Sequence, residues 1–238
     1  MHTIEVANLQ IEVVRKDIKN IHLGVYPPHG RIRLATPLDV QDETLRLFVL
    51  SKLTWIKNQQ RKFSQQERQS PRDYIERESH YFQGKRYLLR VTEEHKAPRV
   101  ALQSKTYLDL YIRPDSSLEQ RHTVLNEWYR AELKKLIPAL IAKWCPVLGV
   151  PAPDWQVKQM KTKWGSCNIE VRRIWINLEL AKKPVACLEY VVVHELIHLL
   201  ERHHNDRFLG YLNQFLPNWK QLKAELNRLP VSHVDWGY

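Results

Sequence analysis

The sequence has 238 residues, enough for one large domain or two small ones with a buried core. Hydrophobic residues make up 43% of it, charged residues 26% and aromatic residues 10%, a composition that indicates a globular protein and excludes a disordered chain. There are 37 Lys and Arg residues against 26 Asp and Glu, and the resulting net charge of +11 favours polyanions such as nucleic acid, although a solvated basic surface explains it equally simply.

The N-terminal part alternates between apolar and polar residues, as short strands do. Strands are predicted within residues 4–13 and 21–34, arranged as an antiparallel meander with one polar face. A helix follows over residues 45–56, where apolar residues recur at helical spacing, and residues 64–73 are predicted to be an exposed connector. Further strands are predicted over residues 80–82, 87–91, 100–102 and 108–112.

The residue pattern changes after this β-rich region, so we divide the chain into two predicted domains, 1–115 and 116–238. The second domain opens with a long helix that Ser116 or Ser117 can cap and that Pro138 should kink or split. Two strand-like segments then flank a Lys-Trp-Gly-Ser-Cys-Asn stretch, and Pro184 stands in the first turn of an apolar helix. The sequence therefore predicts an α+β fold.

That last helix carries the main chemical signal, His194 and Glu195 followed by His198. Residues four apart lie on one helix face, about 5–6 Å apart at Cβ, so the two imidazoles can bind one cation. Glu195 can reach a water on that cation, which is the H-E-x-x-H arrangement of zinc hydrolases. The simpler alternative is a buried helix whose histidines only pack or form hydrogen bonds.

A catalytic zinc usually takes three protein ligands, and the sequence offers three candidates for the third. His203 and His204 follow the motif closely, and Glu225 lies on a later helix. An unbroken helix would carry both histidines away from the ligand face, so the chain must turn near Arg202 and His203. Asn205 can cap a following helix, and His204 is the favoured ligand after such a turn.

A metal-bound water would be the nucleophile, with Glu195 taking its proton and passing it to the leaving amine. Tyr190, one turn before His194, is a candidate hydrogen-bond donor to a developing oxyanion, although a packing role explains it as well. Cys167 has no base placed beside it by spacing, so a cysteine hydrolase is not favoured. No apolar run approaches a membrane span and no secretory signal is present, and with three unpaired cysteines we expect a cytoplasmic protein.

These motifs together resemble those of the YgjP-like zinc metallopeptidases, relatives of the SprT-like and other minimal zincins. The resemblance lies in Lys163-Trp-Gly-Ser-Cys167, Ile176-Asn-Leu178, the H-E-x-x-H helix and His204-Asn-Asp-Arg-Phe208. It implies a β-rich N-terminal region and a compact zincin-like catalytic domain in which a small mixed sheet packs on the H-E-x-x-H helix.

The same resemblance implies one Zn²⁺ ion held by His194, His198 and His204, with Glu195 as the catalytic residue. A protein or peptide substrate would bind along a cleft edge formed by Trp164, Gly165, Ser166, Cys167 and Asn168. Two other functions stay open: a DNA-associated protease or DNA-binding protein that uses the basic surface, and a zinc amidohydrolase with a non-protein substrate.

Overall fold

The structure is a computed structural model that describes residues 2–26, 29–65, 72–160 and 163–228. The described chain forms two compact units, one ending at residue 65 and the other beginning at residue 72. Helices and small sheets occur in both units, which confirms the predicted α+β class. Most of the predicted connector over 64–73 lies outside the described residues. Within the described part of the chain, no helix combines the length and apolarity that crossing a membrane requires.

The first unit is a four-stranded sheet with two helices. Its elements are β1 (His2–Val6), β2 (Leu9–Arg15), β3 (His22–Tyr26), β4 (Arg31–Thr36), α1 (Asp42–Ser51) and α2 (Leu53–Gln65). The strand order is β1-β2-β4-β3, and β2 pairs with β4 in parallel. The predicted antiparallel meander is therefore wrong, because alternation shows which side chains share a face of a strand but not which strands pair. Ile11, Leu34 and Val49 are fully buried in its core.

The second unit begins with another four-stranded sheet. Its strands, in the order β5-β6-β8-β7, are β5 (Ser79–Phe82), β6 (Lys85–Glu93), β7 (Arg99–Ala101) and β8 (Tyr107–Ile112). Leu89 and Leu110 of this sheet share one apolar core with Leu125 of the following helix. This sheet therefore belongs to the same unit as α3, whereas the predicted division after residue 115 separated the two. A sheet with an apolar face belongs with the element that covers that face.

The long helix α3 (Leu118–Leu148) crosses this core. Ser117 caps it through a capping box with Gln120, and Gly149 ends it in the left-handed conformation. Pro138 lies inside the helix without splitting it. Its neighbour Ile137 is fully buried, so packing on that face holds the helix together where one backbone hydrogen bond is missing.

The remaining elements build the candidate catalytic part. They are β9 (Asp154–Lys158), β10 (Gly165–Asn168), β11 (Arg173–Asn177), a 3-10 helix (Leu178–Lys182), α4 (Val185–Ile197), α5 (Asp206–Phe215) and α6 (Trp219–Arg228). The strand order is β10-β11-β9, with β11 antiparallel to β10 and parallel to β9. Helix α4 packs against β10 and β11, which confirms the predicted small mixed sheet on the H-E-x-x-H helix.

Candidate metal centre

Helix α4 presents the first two histidines at its C-terminal end. His194 lies in the last turn and His198 is the C-cap residue. The backbone then tightens, with the amides of Leu199 and Leu200 donating to carbonyls three residues earlier. The helix thus ends at Ile197, five to six residues before the turn predicted near Arg202 and His203, and the chain reverses over a longer loop.

The next helix returns the third histidine to the first two. Asn205 caps α5 by accepting a hydrogen bond from the Phe208 amide at 3.0 Å. His204, just before this cap, then points its ring back, and its Nε2 lies 2.9 Å from Nε2 of His194. One possible ligand atom from each of His194, His198 and His204 lies within 4.8 Å of the others.

The two competing candidates for the third ligand lie outside this cluster of three histidines. The backbone amide of His203 donates a hydrogen bond to the Glu201 carboxylate at 3.1 Å, and His203 is exposed. Glu225 lies on α6, where its charge acts on the thiol of Cys187. The structure therefore brings His204, and neither His203 nor Glu225, to the H-E-x-x-H pair.

Phe208 packs against all three imidazoles, a contact that the sequence analysis missed. Its ring centroid lies 4.8 Å from those of His194 and His198 and 4.7 Å from that of His204. The side chain is only 1% exposed, so it fixes the base of the cluster. The one available signal was its place as the first apolar residue after the Asn205 cap.

A backbone carbonyl orients one of the three rings. His198 Nδ1 lies 3.1 Å from the carbonyl oxygen of Glu201, to which it can donate, and this leaves Nε2 free to face the cluster. The contact uses the backbone carbonyl of Glu201, while the Glu201 carboxylate accepts a hydrogen bond from the His203 amide.

The electrostatics of the cluster keep the imidazoles neutral. Burial and the charges of His198, His204 and Lys223 lower the pKa of His194 to about 3. Burial is also the largest cause that lowers the pKa of His198 and of His204. Neutral imidazole is the form that binds a metal ion.

Three converging ring nitrogens fit a bound cation and little else. One N–H can lie between Nε2 of His194 and Nε2 of His204, but a proton there leaves the nearby His198 lone pair without a donor. The lone pairs of the three ring nitrogens repel one another when nothing lies between them. A cation that accepts all three lone pairs would remove this repulsion, so the donor set suits a metal that prefers nitrogen ligands.

Glu195 lies beside this cluster and against the edge strand β10. It is 4% exposed, and its buried Oε2 has no hydrogen-bond partner in the described part of the chain. Burial raises the pKa of this carboxyl to about 8, with a smaller opposing effect of Lys163. A Cβ built at Gly165 would lie 2.7 Å from Glu195 Cγ, so only glycine lets the strand approach the carboxyl this closely.

An open cleft with a volume of about 1090 Å³ runs over the histidines. All five residues of the predicted cleft edge line it, and so do the three histidines, Glu195 and Tyr190; the edge residues are Trp164, Gly165, Ser166, Cys167 and Asn168. Burial and the charge of Glu195 raise the pKa of Tyr190 to about 12. The tyrosine hydroxyl therefore keeps its proton and can donate it in a hydrogen bond.

The side chain of Asn177 holds the segment that leads into β10. It donates to the carbonyl oxygens of Met160 at 2.9 Å and Lys163 at 2.7 Å. Its side-chain oxygen caps the 3-10 helix by accepting a hydrogen bond from the Glu179 amide at 3.2 Å. In the sequence, Ile176-Asn-Leu178 indicates only a family resemblance, and no spacing predicts a role for Asn177.

Cys167 lines the cleft but is poorly suited to act as a nucleophile. Burial and the charge of Glu195 raise the pKa of its thiol to about 11, so the thiolate is scarce at neutral pH. The residue belongs to β10, where it pairs with Ile174 of β11. This agrees with the expectation that Cys167 is not the nucleophile of a cysteine hydrolase.

Comparison with known proteins gives a family. The model of the YgjP-like metallopeptidase domain matches residues 19–229. Two solved metallopeptidase zymogens are weakly similar: jannalysin of Methanocaldococcus jannaschii (19% identity, TM-score 0.35, 38% of this chain and 92% of that one) and abylysin of Pyrococcus abyssi (18% identity, TM-score 0.36, 40% and 99%). A search of curated proteins found no significant match. Because the family match covers most of its length, the chain belongs to the YgjP-like metallopeptidases and is a hydrolase.

Proposed function

We propose that this metallopeptidase cleaves peptide bonds with one zinc ion held by His194, His198 and His204. The observation that carries the proposal is the convergence of three neutral imidazoles within 4.8 Å at the floor of an open cleft. Three histidines with one open position form a ligand set of catalytic zinc sites. When bound, zinc would lower the pKa of a water molecule and polarise the scissile carbonyl.

Glu195 is the proposed general base. It follows the first histidine of the motif directly, and it lines the same cleft as the three histidines. Its carboxyl has a free oxygen and a pKa raised by burial, so it can accept a proton and return it near neutral pH. The returned proton would go to the leaving amine.

The edge strand β10 is the proposed binding edge for an extended substrate. It pairs with β11 on one side only, and among the described strands none covers its other side. Unpaired backbone N–H and C=O groups on the free side of Gly165 to Asn168 can therefore bind a peptide as an added strand. Tyr190 lines the cleft one helical turn before His194 and is the proposed donor to the carbonyl oxygen.

The two other hypotheses have less support. Nucleic-acid binding rests on positive charge alone, and the family does not favour it. An amidohydrolase with a non-protein substrate could use the same ligands, but an edge strand beside the base suits a peptide backbone better. We therefore place the chain's activity on protein or peptide substrates.

The test is a comparison of wild-type protein and Glu195→Gln, both loaded with zinc. Bound zinc is measured by elemental analysis, and hydrolysis by mass spectrometry on a mixed peptide library with blocked termini. We expect one zinc per chain in both proteins and peptide cleavage by the wild type only, with a loss of about 10²–10⁴-fold in the variant. Undiminished cleavage by Glu195→Gln would refute the role of Glu195, and a wild type that binds no zinc would refute the metal site.

A further inference from the structure

Helix α6 contributes side chains to the cleft over the histidines, and the proposed mechanism gives them no role. We propose that this cleft selects substrates with a carboxylate close to the scissile bond, and that Lys223 is the residue that determines this specificity. The inference rests on the proposed function, because it names the substrate class of the same site.

Helix α6 contributes three residues to the cleft wall, Lys223, Leu226 and Asn227. They stand at positions i, i+3 and i+4, so they share one face of the helix. Leu226 is 1% exposed and forms an apolar floor, while Lys223 is exposed at the rim. A floor of this kind can receive the methylene groups of a substrate side chain whose charged end lies beside the ammonium group.

The rim of the cleft carries more unpaired positive charge than negative charge. Lys163, before β10, and Arg202, after α4, line the cleft together with Lys223, and all three residues are exposed. In the described part of the chain none of the three forms an ion pair with a carboxylate. The acidic residues of the cleft are Glu195, the proposed base, and Glu170, which lies beyond the end of β10.

Lys223 lines the same cleft as the three histidines and Glu195. A substrate carboxylate beside the scissile bond would therefore meet a positive field, and a substrate lysine at that position would meet like charge.

A peptide carboxylate can come from an acidic side chain or from the chain terminus. The same ammonium group would attract both. Peptides with blocked ends and peptides with free ends distinguish the two sources. Helix α6 also offers a matched control, because the ammonium groups of Lys220 and Lys223 both lie 5.7 Å from the Trp219 ring centroid. Lys220 does not line the cleft.

The experiment measures peptide binding to zinc-loaded Glu195→Gln, which separates selectivity from turnover. Fluorescent peptides with blocked termini differ only at one central position, which is Glu, Gln or Lys, and a fourth peptide has the Gln sequence with a free C-terminus. We expect the Glu peptide to bind about fivefold more tightly than the Gln peptide at low salt, as one partly exposed ion pair provides. The preference should shrink at high salt. Tighter binding of the free-terminus peptide alone would assign the carboxylate to the C-terminus and would overturn side-chain selection.

The charge reversals Lys223→Glu and Lys220→Glu, each made in the Glu195→Gln background, identify the residue. We expect Lys223→Glu to reverse the order so that the Lys peptide binds best, while Lys220→Glu keeps the wild-type order. Equal affinity for the three blocked peptides, or reversal by Lys220→Glu alone, would overturn the proposal. Cleavage of all three blocked peptides at equal kcat/KM by the wild type would leave the peptidase function standing while the selectivity falls.

Discussion

The α-carbon of Gly165 lies directly against the side chain of Glu195. A Cβ built on Gly165 would come 2.7 Å from Glu195 Cγ and 2.8 Å from Cδ, closer than real Cβ atoms approach other atoms. This contact joins the first residue of the edge strand β10 to the proposed base. One glycine therefore sets the distance between β10 and Glu195.

Replacing Gly165 by alanine should therefore reduce hydrolysis without removing the metal. The new methyl group must push the carboxyl or the strand away, and a misplacement of about 1 Å can cost about 10²-fold in rate. We expect such a loss in kcat/KM, with zinc content unchanged. Gly210→Ala is the matched control, because a Cβ at that helical position of α5 meets nothing within 4 Å. The control should keep full activity and gain up to about 1 kcal/mol in stability. Equal activity in the two variants would contradict the role given to the Gly165 contact.

The helical part of the site could be predicted from the sequence because it depends on local geometry. Spacing alone places His194 and His198 on one face, and a polar cap at Asn205 predicts the turn that returns His204. The contacts of Gly165 with Glu195, and of Phe208 with the three rings, join segments that are brought together only by the packed core. The residue pattern of each segment therefore does not predict these contacts.

The same distinction applies to the fold. Alternating residues indicated most strands correctly, but the parallel pairing of β2 with β4 depends on contacts between distant segments. The grouping of the second sheet with α3 has the same origin, since Leu89 and Leu110 find their apolar partners on a helix that follows them in the chain.

Substituting the two adjacent histidines should separate a ligand from its neighbour. In His204→Ala one of the three converging imidazoles is lost, so zinc affinity should fall by more than about 100-fold, beyond the effect of removing a group that only orients a ligand. His203→Ala removes an exposed ring outside the cluster and should bind zinc as the wild type does. Affinities are measured by competition with a chromophoric chelator. Loss of affinity in His203→Ala alone would reassign the third ligand.

The hydrogen bonds of Asn177 predict an effect on the cleft edge without an effect on the metal. Asn177→Ala leaves two carbonyl oxygens, of Met160 and Lys163, without their donor, at a cost of about 1–3 kcal/mol. Asn177→Asp should be worse, because it places an anionic oxygen against both carbonyls. We expect both variants to bind zinc normally, to unfold at lower urea concentration and to show a raised KM for peptides.

Asn58→Ala is a suitable control for this pair. Asn58 is an exposed residue of α2 whose side chain accepts a hydrogen bond from Arg61 at 2.8 Å, and its loss should change stability by less than about 0.5 kcal/mol. If Asn177→Asp were as active and as stable as Asn58→Ala, the side chain of Asn177 would not position the edge strand.

Glu78 predicts how the stability of the second unit depends on pH. Burial raises the pKa of this carboxyl, but contacts with His80, Arg72 and the Tyr74 amide outweigh burial and lower the pKa to about 2. The Tyr74 amide donates to Glu78 Oε2 at 2.7 Å, and the carboxyl side chain is only 13% exposed. A pKa below the ordinary value of 4.5 means that the folded state favours the charged form. The resulting stability is present above pH 4.5 and is lost as the pH falls toward 2.

In Glu78→Gln this contribution should be absent at every pH. Urea unfolding is followed by tryptophan fluorescence, with chelator present so that zinc release adds nothing. The variant should be less stable than the wild type at pH 7 by about 1.5–3 kcal/mol, the usual contribution of hydrogen bonds to a charged group. The difference should shrink steadily between pH 4.5 and pH 2. Glu127→Gln, which changes an exposed carboxylate of α3 paired with Arg130, should lie within about 1 kcal/mol of the wild type throughout. A gap between Glu78→Gln and wild type that stays constant down to pH 2 would show that the amide, and not the lost charge, causes the destabilisation.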